Sequence, residues 1–355
     1  KSAVEKAVSD LKTANEIGLR AQAEVASLYD WHEVVKPLAS ALMTATLKSE
    51  SFMGSPCMLT LNDYDYVSTA GGGATRIRGL YSAYGGVMPV IGICLTDDHK
   101  LTRIKVNDNF ILFRVPKTES HRAEEAEIQA RHHISAVDII ATRHAIQNPT
   151  LLGLYNLLKA NAAHIAVEHP YLVSLPRLYG DPFIYSSQNH EFLLKKKLLE
   201  HHPDRDMLLG MLENVENYAI RESKLVITCS EVDLQTMARN IDHGPPSILI
   251  RNGVPKPDVP DGTKPRKPVG EKSAVFLGSP HMPNIESARF IVDELVPDHP
   301  EVEFHFVGSI CDIFDKSLPD NAILHGRVSE SEKSAILRAS RVALNPMFSG
   351  GGSNV

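Results

Sequence analysis

From residue 55 onward the chain keeps one rhythm: a short apolar run, a polar turn, a helical stretch, then another apolar run. Such runs stand at 57–61 (CMLTL), 89–95 (PVIGICL), 110–115 (FILFRV), 137–141 (VDIIA), 164–168 (HIAVE), 183–187 (FIYSS), 225–229 (LVITC) and 247–250 (SILI). They resume at 274–277, 303–307, 321–324 and 341–345. Runs this short and apolar are strands buried on both faces, and strands that alternate with helices pair in parallel with the helices covering the sheet. The alternation predicts an α/β fold. Helices are expected between most strands, for example over 148–162 and 205–222, and Ser230 with Asp233 three residues on predicts the start of another.

The rhythm breaks once. "PKPDVPDGTKPRKPVG" (255–270) holds five prolines, two glycines and almost no apolar side chain, so it cannot contribute to a core and reads as a linker. Two Rossmann-like domains follow, an N-terminal one over 51–254 and a C-terminal one over 271–355. The second shows four strands where an open doubly wound domain uses about five or six, so it is expected to be incomplete. Residues 1–50 are rich in Ala, Glu, Lys and Leu. Val4, Ala7, Leu11, Ala14, Leu19 and Ala23 recur at helical spacing there, which predicts a helical extension packed on the body. The chain begins at Lys1 and is read as part of a longer polypeptide.

Bulk properties remove several function classes. A net charge of -6, spread without long blocks, gives no electrostatic footprint for nucleic acid. Cys57, Cys94, Cys229 and Cys311 are far apart and form no metal or redox spacing, so reduced thiols and a cytoplasmic location are expected. No run approaches the ~18 apolar residues of a membrane span, and no signal peptide is visible. The sixteen histidines show no ligand spacing; the adjacent pairs His132–His133 and His201–His202 point to different helix faces.

Four glycine turns follow strands: Gly71–Gly73, Gly278 with Ser279, Gly308 with Ser309, and Gly350–Gly352 with Ser353 and Asn354. In parallel α/β sheets ligands bind beyond the carboxyl ends of strands, where helix N-terminal amides face outward and glycine lets a phosphate oxygen approach the backbone. Glycine at such places also serves tight turns and close helix packing. There is no clean GxGxxG and no GxxxxGK[ST], which disfavours nicotinamide and ATP and leaves a diphosphate as the natural occupant.

"FLGSPHMPNIESARFIVDEL", "VEFHFVG", "ILHGRVSESEKSAILRASRVALNPMFSGGGSNV" and "VITCSEVDLQTMA" followed by "ILIRNGV" together resemble the retaining nucleotide-sugar glycosyltransferases of the GT-B fold, family 4 in particular. The resemblance runs from about 55 to 355. It implies a sugar nucleotide held on the C-terminal domain, with Gly350, Gly351, Gly352, Ser353 and Asn354 around the diphosphate and sugar. It implies Gly326, Arg327 and Val328 at the base, and Gly278, Ser279 and Gly308 beside the phosphates. On the other side it implies Gly71, Gly72 and Gly73 closing over them, with Arg251 and Asn252 in the "RNGV" crossing between domains. Where relatives place an Arg and a Lys after the first strand of the second domain, this chain has His281 and Asn284. Gln188 stands where relatives often carry a histidine.

"IYSSQNHEF" supplies the candidate catalytic set, Gln188, Asn189, His190 and Glu191: Glu191 to orient an acceptor hydroxyl and His190 to donate to it or to the sugar. The competing reading is that these residues cap the next helix. His169 in "VEHPYL" is acceptor-side or a turn, with the turn favoured before Pro170. Bond breaking in such a transfer needs positive charge near the diphosphate; Arg76, Arg78, Arg251 and Arg327 are candidates to assist backbone amides, and no metal or other cofactor is required. Lys195, Lys196 and Lys197 read either as a solvated helix face or as a contact for the anionic head groups of a lipid-linked acceptor, which would make the protein peripheral to a membrane. The expected partners are thus a nucleotide-sugar donor and a glycan or lipid-linked acceptor. A sugar-nucleotide epimerase, a phosphorylase and a non-catalytic GT-B module remain the alternatives.

Overall fold

The computed structural model describes residues 17, 20, 21, 23, 24, 30–43, 56–69, 71–131, 137–239, 244–253, 264–280, 282–314 and 318–346. Of these, residues 30–253 belong to one compact unit and 264–346 to another.

The first unit runs α1 (Trp31–Met43), β1 (Cys57–Asn62), α2 (Gly72–Tyr84), β2 (Val90–Thr96), β3 (Thr102–Asn107), β4 (Phe110–Pro116), α3 (Glu119–Arg131), α4 (Val137–His144), α5 (Pro149–Lys159) and β5 (Ala162–Glu168). It continues through α6 (Ser174–Tyr179), β6 (Ile184–Ser186), α7 (Glu191–Leu198), α8 (Arg205–Glu222), β7 (Leu225–Thr228), α9 (Glu231–Arg239) and β8 (Ser247–Leu249). Its described strands form an eight-stranded sheet in the order β3-β4-β2-β1-β5-β6-β7-β8. Strand order turns back at β1, which pairs in parallel with β2 on one side and β5 on the other. Ligands bind at such a switch point, beyond the carboxyl ends of the strands. β1 and β2 are buried at every position, the mark of central strands covered on both faces. Leu59 and Leu61 pack with Ile93, Ile139 and Tyr185 on one face, and Met58 packs with Ile77, Leu80 and Tyr84 on the other, as a period of two dictates.

Two expectations fail here. The run 137–141 is not a strand; it opens the helix α4. A short apolar run carries no periodicity of its own, and its ends decide the matter. Asp138 accepts the Ile139 amide in the first turn, and Arg143 with His144 closes the last turn, both favourable to the helix dipole. In the other direction, β3 was not anticipated. It is an antiparallel edge strand on β4, with Arg103 and Lys105 exposed, and charged residues on an edge discourage further pairing. The other strands and the helices α5 and α8 fall where the alternation places them, within two residues at most ends. Ser230 caps α9 as expected: its hydroxyl accepts the Asp233 amide at 3.1 Å and meets the Asp233 carboxylate at 2.6 Å.

The helix α1 buries Trp31, Val34 and Val35, one face at i, i+3 and i+4. The indole fills a slot with Gly79 on one side and Gly253 on the other. A Cβ at Gly79 would lie 2.0 Å from the ring and one at Gly253 2.5 Å, so neither position admits a side chain. The apolar positions expected at Val4, Ala7, Leu11, Ala14 and Leu19 lie outside the described residues.

The second unit runs β9 (Ser273–Leu277), α10 (Met282–Phe290), which continues through a π segment at Ile291–Leu295, then β10 (Glu303–Val307), β11 (Ala322–Gly326), α11 (Glu330–Ala339) and β12 (Val342–Ala343). Its four described strands are parallel in the order β11-β10-β9-β12. Phe304 and Phe306 enter the core beneath α10, while Val307 packs with Val275 and Ile336 on the opposite face.

On that opposite face β10 and β11 carry a polar file. His305 Nδ1 lies 2.8 Å from His325 Nε2, and His305 Nε2 lies 3.2 Å from the Glu303 carboxylate. Burial, reinforced by the neighbouring His305, pushes the His325 imidazole down to about 4, and burial lowers His305 too. A histidine depressed in the folded state takes up protons in the unfolded chain first as the pH falls. Its contribution is therefore complete above the ordinary value of 6.5 and is lost as the pH drops toward 4. Thermal unfolding of this unit is expected to shift to lower temperature over that window, and His325→Gln is expected to flatten the dependence.

Candidate active site

At the carboxyl ends of β1, β5 and β6 the first unit gathers polar side chains that the sheet draws from distant parts of the sequence. The Gly71–Gly73 turn lies there. Gly71 (φ +134°) holds a backbone that only glycine adopts readily, and it stands at the N-cap of α2. A Cβ on Gly73 would come 2.7 Å from Gln188 Oε1 and 2.9 Å from the Tyr64 hydroxyl. This turn and the Gln188–Glu191 segment, predicted separately, are thus neighbours.

Within that segment the side chains have separate partners. His190 stands at the N-cap of α7, yet its side chain makes no cap. The capping group is Glu216 of α8: its two oxygens accept the Glu191 and Phe192 amides at 2.7 Å each, and it also takes the Tyr185 hydroxyl at 3.2 Å and faces His190 Nδ1 at 3.3 Å. Asn189 donates to Glu191 at 3.3 Å. Glu191 itself is 3% exposed, with both oxygens engaged: Oε2 accepts the Tyr171 hydroxyl at 2.7 Å, and Oε1 faces His169 Nδ1 at 3.2 Å. Burial alone would raise this carboxyl. His169, and then Lys195 and Tyr171, more than reverse that and hold it at about 2.

His169, read from the sequence as acceptor-side or a turn before Pro170, has an unusual backbone. It is the one non-glycine residue with positive φ among those described, at +59°. A strained backbone of this kind persists only where the surroundings over-determine it, and such positions cluster at functional sites. The ring stacks near Tyr171 (centroids 5.9 Å apart) and tilts toward Tyr64 (6.2 Å). Burial pulls the imidazolium down, but the Glu191 carboxylate outweighs it and lifts His169 to about 9. Glu191 thereby fixes which nitrogen faces inward, and Nε2 is left buried with no protein partner.

Around that nitrogen other groups are also unsatisfied. Asp63 Oδ1, Glu168 Oε2 and Gln188 Nε2 are buried and lack hydrogen-bond partners. Glu168 receives the Tyr81 hydroxyl on its other oxygen. Burial pushes Asp63 up to about 7, with His169 opposing and Asp138 adding to the rise. Buried polar atoms are rarely left unpaired, so a set of donors and acceptors at one sheet end matches a ligand rich in hydroxyl groups.

The remaining expected residues are dispersed. Asn252 accepts from Arg76 at 2.8 Å, whereas Arg251 is half exposed and pairs with Glu231 at 2.5 Å. Arg78 donates to the Tyr66 carbonyl at 2.5 Å and serves the loop after β1. Lys195 does not share a solvated face with Lys196 and Lys197: it is buried against Asp138, which withdraws it from any lipid surface. Both other lysines are exposed.

In the second unit the Gly278 amide donates to the Val307 carbonyl (3.0 Å) and that of Gly308 to the Gly326 carbonyl (2.8 Å). Ser279 accepts from Asn284 through its carbonyl at 3.0 Å. Arg327 is exposed, 3.7 Å from Asp312, and Val328 is half-buried. Gly350, Gly351, Gly352, Ser353 and Asn354 lie outside the described residues. The four cysteines are buried free thiols. Among the described residues no helix is long and apolar enough to cross a membrane.

No family model matches the chain, and no curated protein matches it. Solved structures do. Sucrose-phosphate synthase from Thermosynechococcus elongatus aligns with 84% of this chain and 77% of its own at 11% identity, with a TM-score of 0.53. Unliganded OtsA aligns with 83% of this chain and 79% of its own at 12% identity, with a TM-score of 0.51. A UDP-glucosyltransferase from Polygonum tinctorium capable of glucosylating indoxyl aligns with 81% of this chain and 75% of its own at 11% identity, with a TM-score of 0.51. All three are GT-B glycosyltransferases. At such identities the likeness establishes the fold alone, and the fold of this chain is GT-B, with two α/β units.

Proposed function

We propose that the protein is a glycosyltransferase of the family 4 type, moving a sugar from a nucleoside diphosphate to a hydroxyl of a glycan or lipid-linked acceptor with retention of configuration. The observation that carries this reading is the Glu191–His169 pair. A buried carboxylate sets the tautomer and charge of a backbone-strained imidazolium whose free nitrogen sits among unsatisfied polar atoms at the switch point of the sheet. The solved GT-B structures of similar fold include a UDP-glucosyltransferase, which agrees with a sugar nucleotide as the donor.

In this reaction the bond from the anomeric carbon to the diphosphate breaks and the diphosphate keeps the electron pair. The acceptor oxygen bonds to that carbon on the same face, and its proton passes to the departing diphosphate. His169 donates a hydrogen bond from Nε2 to a hydroxyl of the transferred sugar and fixes its orientation, and the Asp63 and Glu168 carboxylates accept from the hydroxyls around it. Arg327, Val328, Ser279 and the Gly350–Asn354 loop are the donor contacts of this scheme, while Gly278 and Gly308, with their amides already used, shape its floor. The scheme routes no step through a metal.

The test is a screen of UDP- and GDP-sugars against glycan and polyprenyl-linked acceptors, with the anomeric configuration of the product read by NMR. Product with the donor's configuration is expected. Inverted product would remove the retaining mechanism, and release of free nucleotide without any acceptor would favour an epimerase.

A further inference from the structure

On α7, Glu191 and Lys195 are four residues apart, the spacing at which a carboxylate and an ammonium meet on one face of a helix, with the glutamate on the favourable N-terminal side. Among the described residues they form no ion pair. Both Glu191 oxygens go elsewhere, Oε2 to the Tyr171 hydroxyl at 2.7 Å and Oε1 to His169 at 3.2 Å and Asn189 at 3.3 Å. The ammonium goes to Asp138 of α4, 57 residues earlier in the chain. Solvent is open on this helix, since Lys196 and Lys197 are exposed, yet Lys195 is only 7% exposed. Burying an ammonium costs free energy even when it is paired, so the surface course would be the ordinary one.

Burial opposes the charge on Lys195, and three carboxylates sustain it: Asp138, Glu191 and Asp63. Burial likewise opposes the ionised form of Glu191, and His169, then Lys195 and Tyr171, restore it. His169 in turn is faced by Glu191, Asp63 and Glu168, with the rings of Tyr64 and Tyr171 beside it. Two cations thus compete for one carboxylate. Whichever takes the Glu191 oxygens decides whether His169 stays a charged ring with its Nδ1 satisfied. Asp138 settles the competition: its Oδ1 accepts the Ile139 amide at 3.0 Å, which fixes the side chain on the first turn of α4, and its Oδ2 takes the ammonium. Lys195 is left near enough to favour the ionised Glu191 and is kept off its oxygens.

We propose that Asp138 and Lys195 are positioning residues for the Glu191–His169 pair: Asp138 anchors the ammonium away from Glu191, so that the Glu191 carboxylate is left to His169. The proposal rests on the glycosyltransferase reading for what His169 then does to a substrate. Its test reads the protonation of His169 without any sugar transfer, so the two can fail separately.

The experiment follows the His169 ring by NMR titration of the full chain carrying isotope-labelled histidine, the signal being the one lost in His169→Asn. In the wild type the ring is expected to stay protonated up to about 9. In Asp138→Asn the amide still accepts from Ile139 but no longer holds the ammonium, so Lys195 turns to Glu191 and the titration is expected to fall by about 1 pH unit or more. The double variant Asp138→Asn/Lys195→Met removes the competitor and is expected to restore the wild-type titration. In a transfer assay the alkaline limb of kcat/KM should move with the ring in both variants. A shifted ring in a protein that transfers no sugar removes the glycosyltransferase reading and keeps the positioning role. The proposal is overturned if Asp138→Asn leaves the His169 titration in place, or if the double variant does not restore it. Should Asp138→Asn fail to fold while the double variant folds and titrates as wild type, the unanchored ammonium is the cause and the proposal holds. If neither folds, Asp138 is a structural group and the proposal falls.

Discussion

Asparagine in place of His169 is expected to lower sugar transfer by about 10²- to 10⁴-fold, the range typical of a positioned proton-bearing group, while the protein stays folded. Asparagine is chosen because it tolerates the left-handed backbone held at this position, at φ +59°, better than most side chains. The pH profile separates a substrate contact from a structural one. Glu191 lifts His169 to about 9, so the ring is charged through the neutral range and activity is expected to fall as the pH rises through that value. Stability follows the same sign. A histidine raised in the folded state contributes fully below its ordinary 6.5, and the contribution is lost as the pH rises through about 9. In His169→Asn the alkaline limb of kcat/KM should vanish. Retention of more than a tenth of wild-type activity, or an unchanged alkaline limb, would remove His169 from the reaction.

Alanine at Gly308 is expected to destabilise the second unit by about 3 kcal/mol or more. Two costs act together there. The residue holds φ +105°, which L side chains rarely adopt, and a Cβ would stand 2.3 Å from the Gly278 carbonyl oxygen, a backbone atom that cannot swing aside. Urea unfolding of Gly308→Ala should show the loss, with Gly326→Ala as the comparison: that residue also has positive φ (+68°), but its Cβ would meet nothing within 4 Å. If the two substitutions cost the same, the close approach of the ends of β9 and β10 contributes nothing and backbone conformation is the whole effect.

Most of the architecture could be read from residue order because strand burial and helix periodicity are local properties. The first strand, CMLTL, and the long helix over 205–222 needed no knowledge of their neighbours, and neither did the Ser230 cap. The run 137–141 was misread for the complementary reason: Ile139 and Ile140 are buried in either conformation, and the local signal was too short to choose. The alternation of Ile104 and Val106 with Arg103 and Lys105 could have disclosed the edge strand.

The site was legible only in part. Glycine turns and the polar "SQNHEF" segment announced themselves, and the structure makes neighbours of Gly73 and Gln188. The division of labour inside the site was not visible, because it rests on pairs formed across the fold: His169 with Glu191 at a separation of 22 residues, Tyr81 with Glu168 at 87 and Arg76 with Asn252 at 176. A histidine before a proline looks like a turn, and it is one; that the turn is strained and aims a charged ring follows only from Glu191 and Tyr171. Lys195 looked solvated beside two other lysines until Asp138 on α4 was seen to claim it.

The seating of Trp31 between Gly79 and Gly253 has a practical consequence. The sequence contains a single tryptophan, so all indole emission from this protein arises at one spot, next to the residue that receives Arg76. A red-shifted or collisionally quenchable spectrum would signal that α1 has lifted away, and a blue, shielded one that it is seated, giving an optical gauge of that junction without any attached dye.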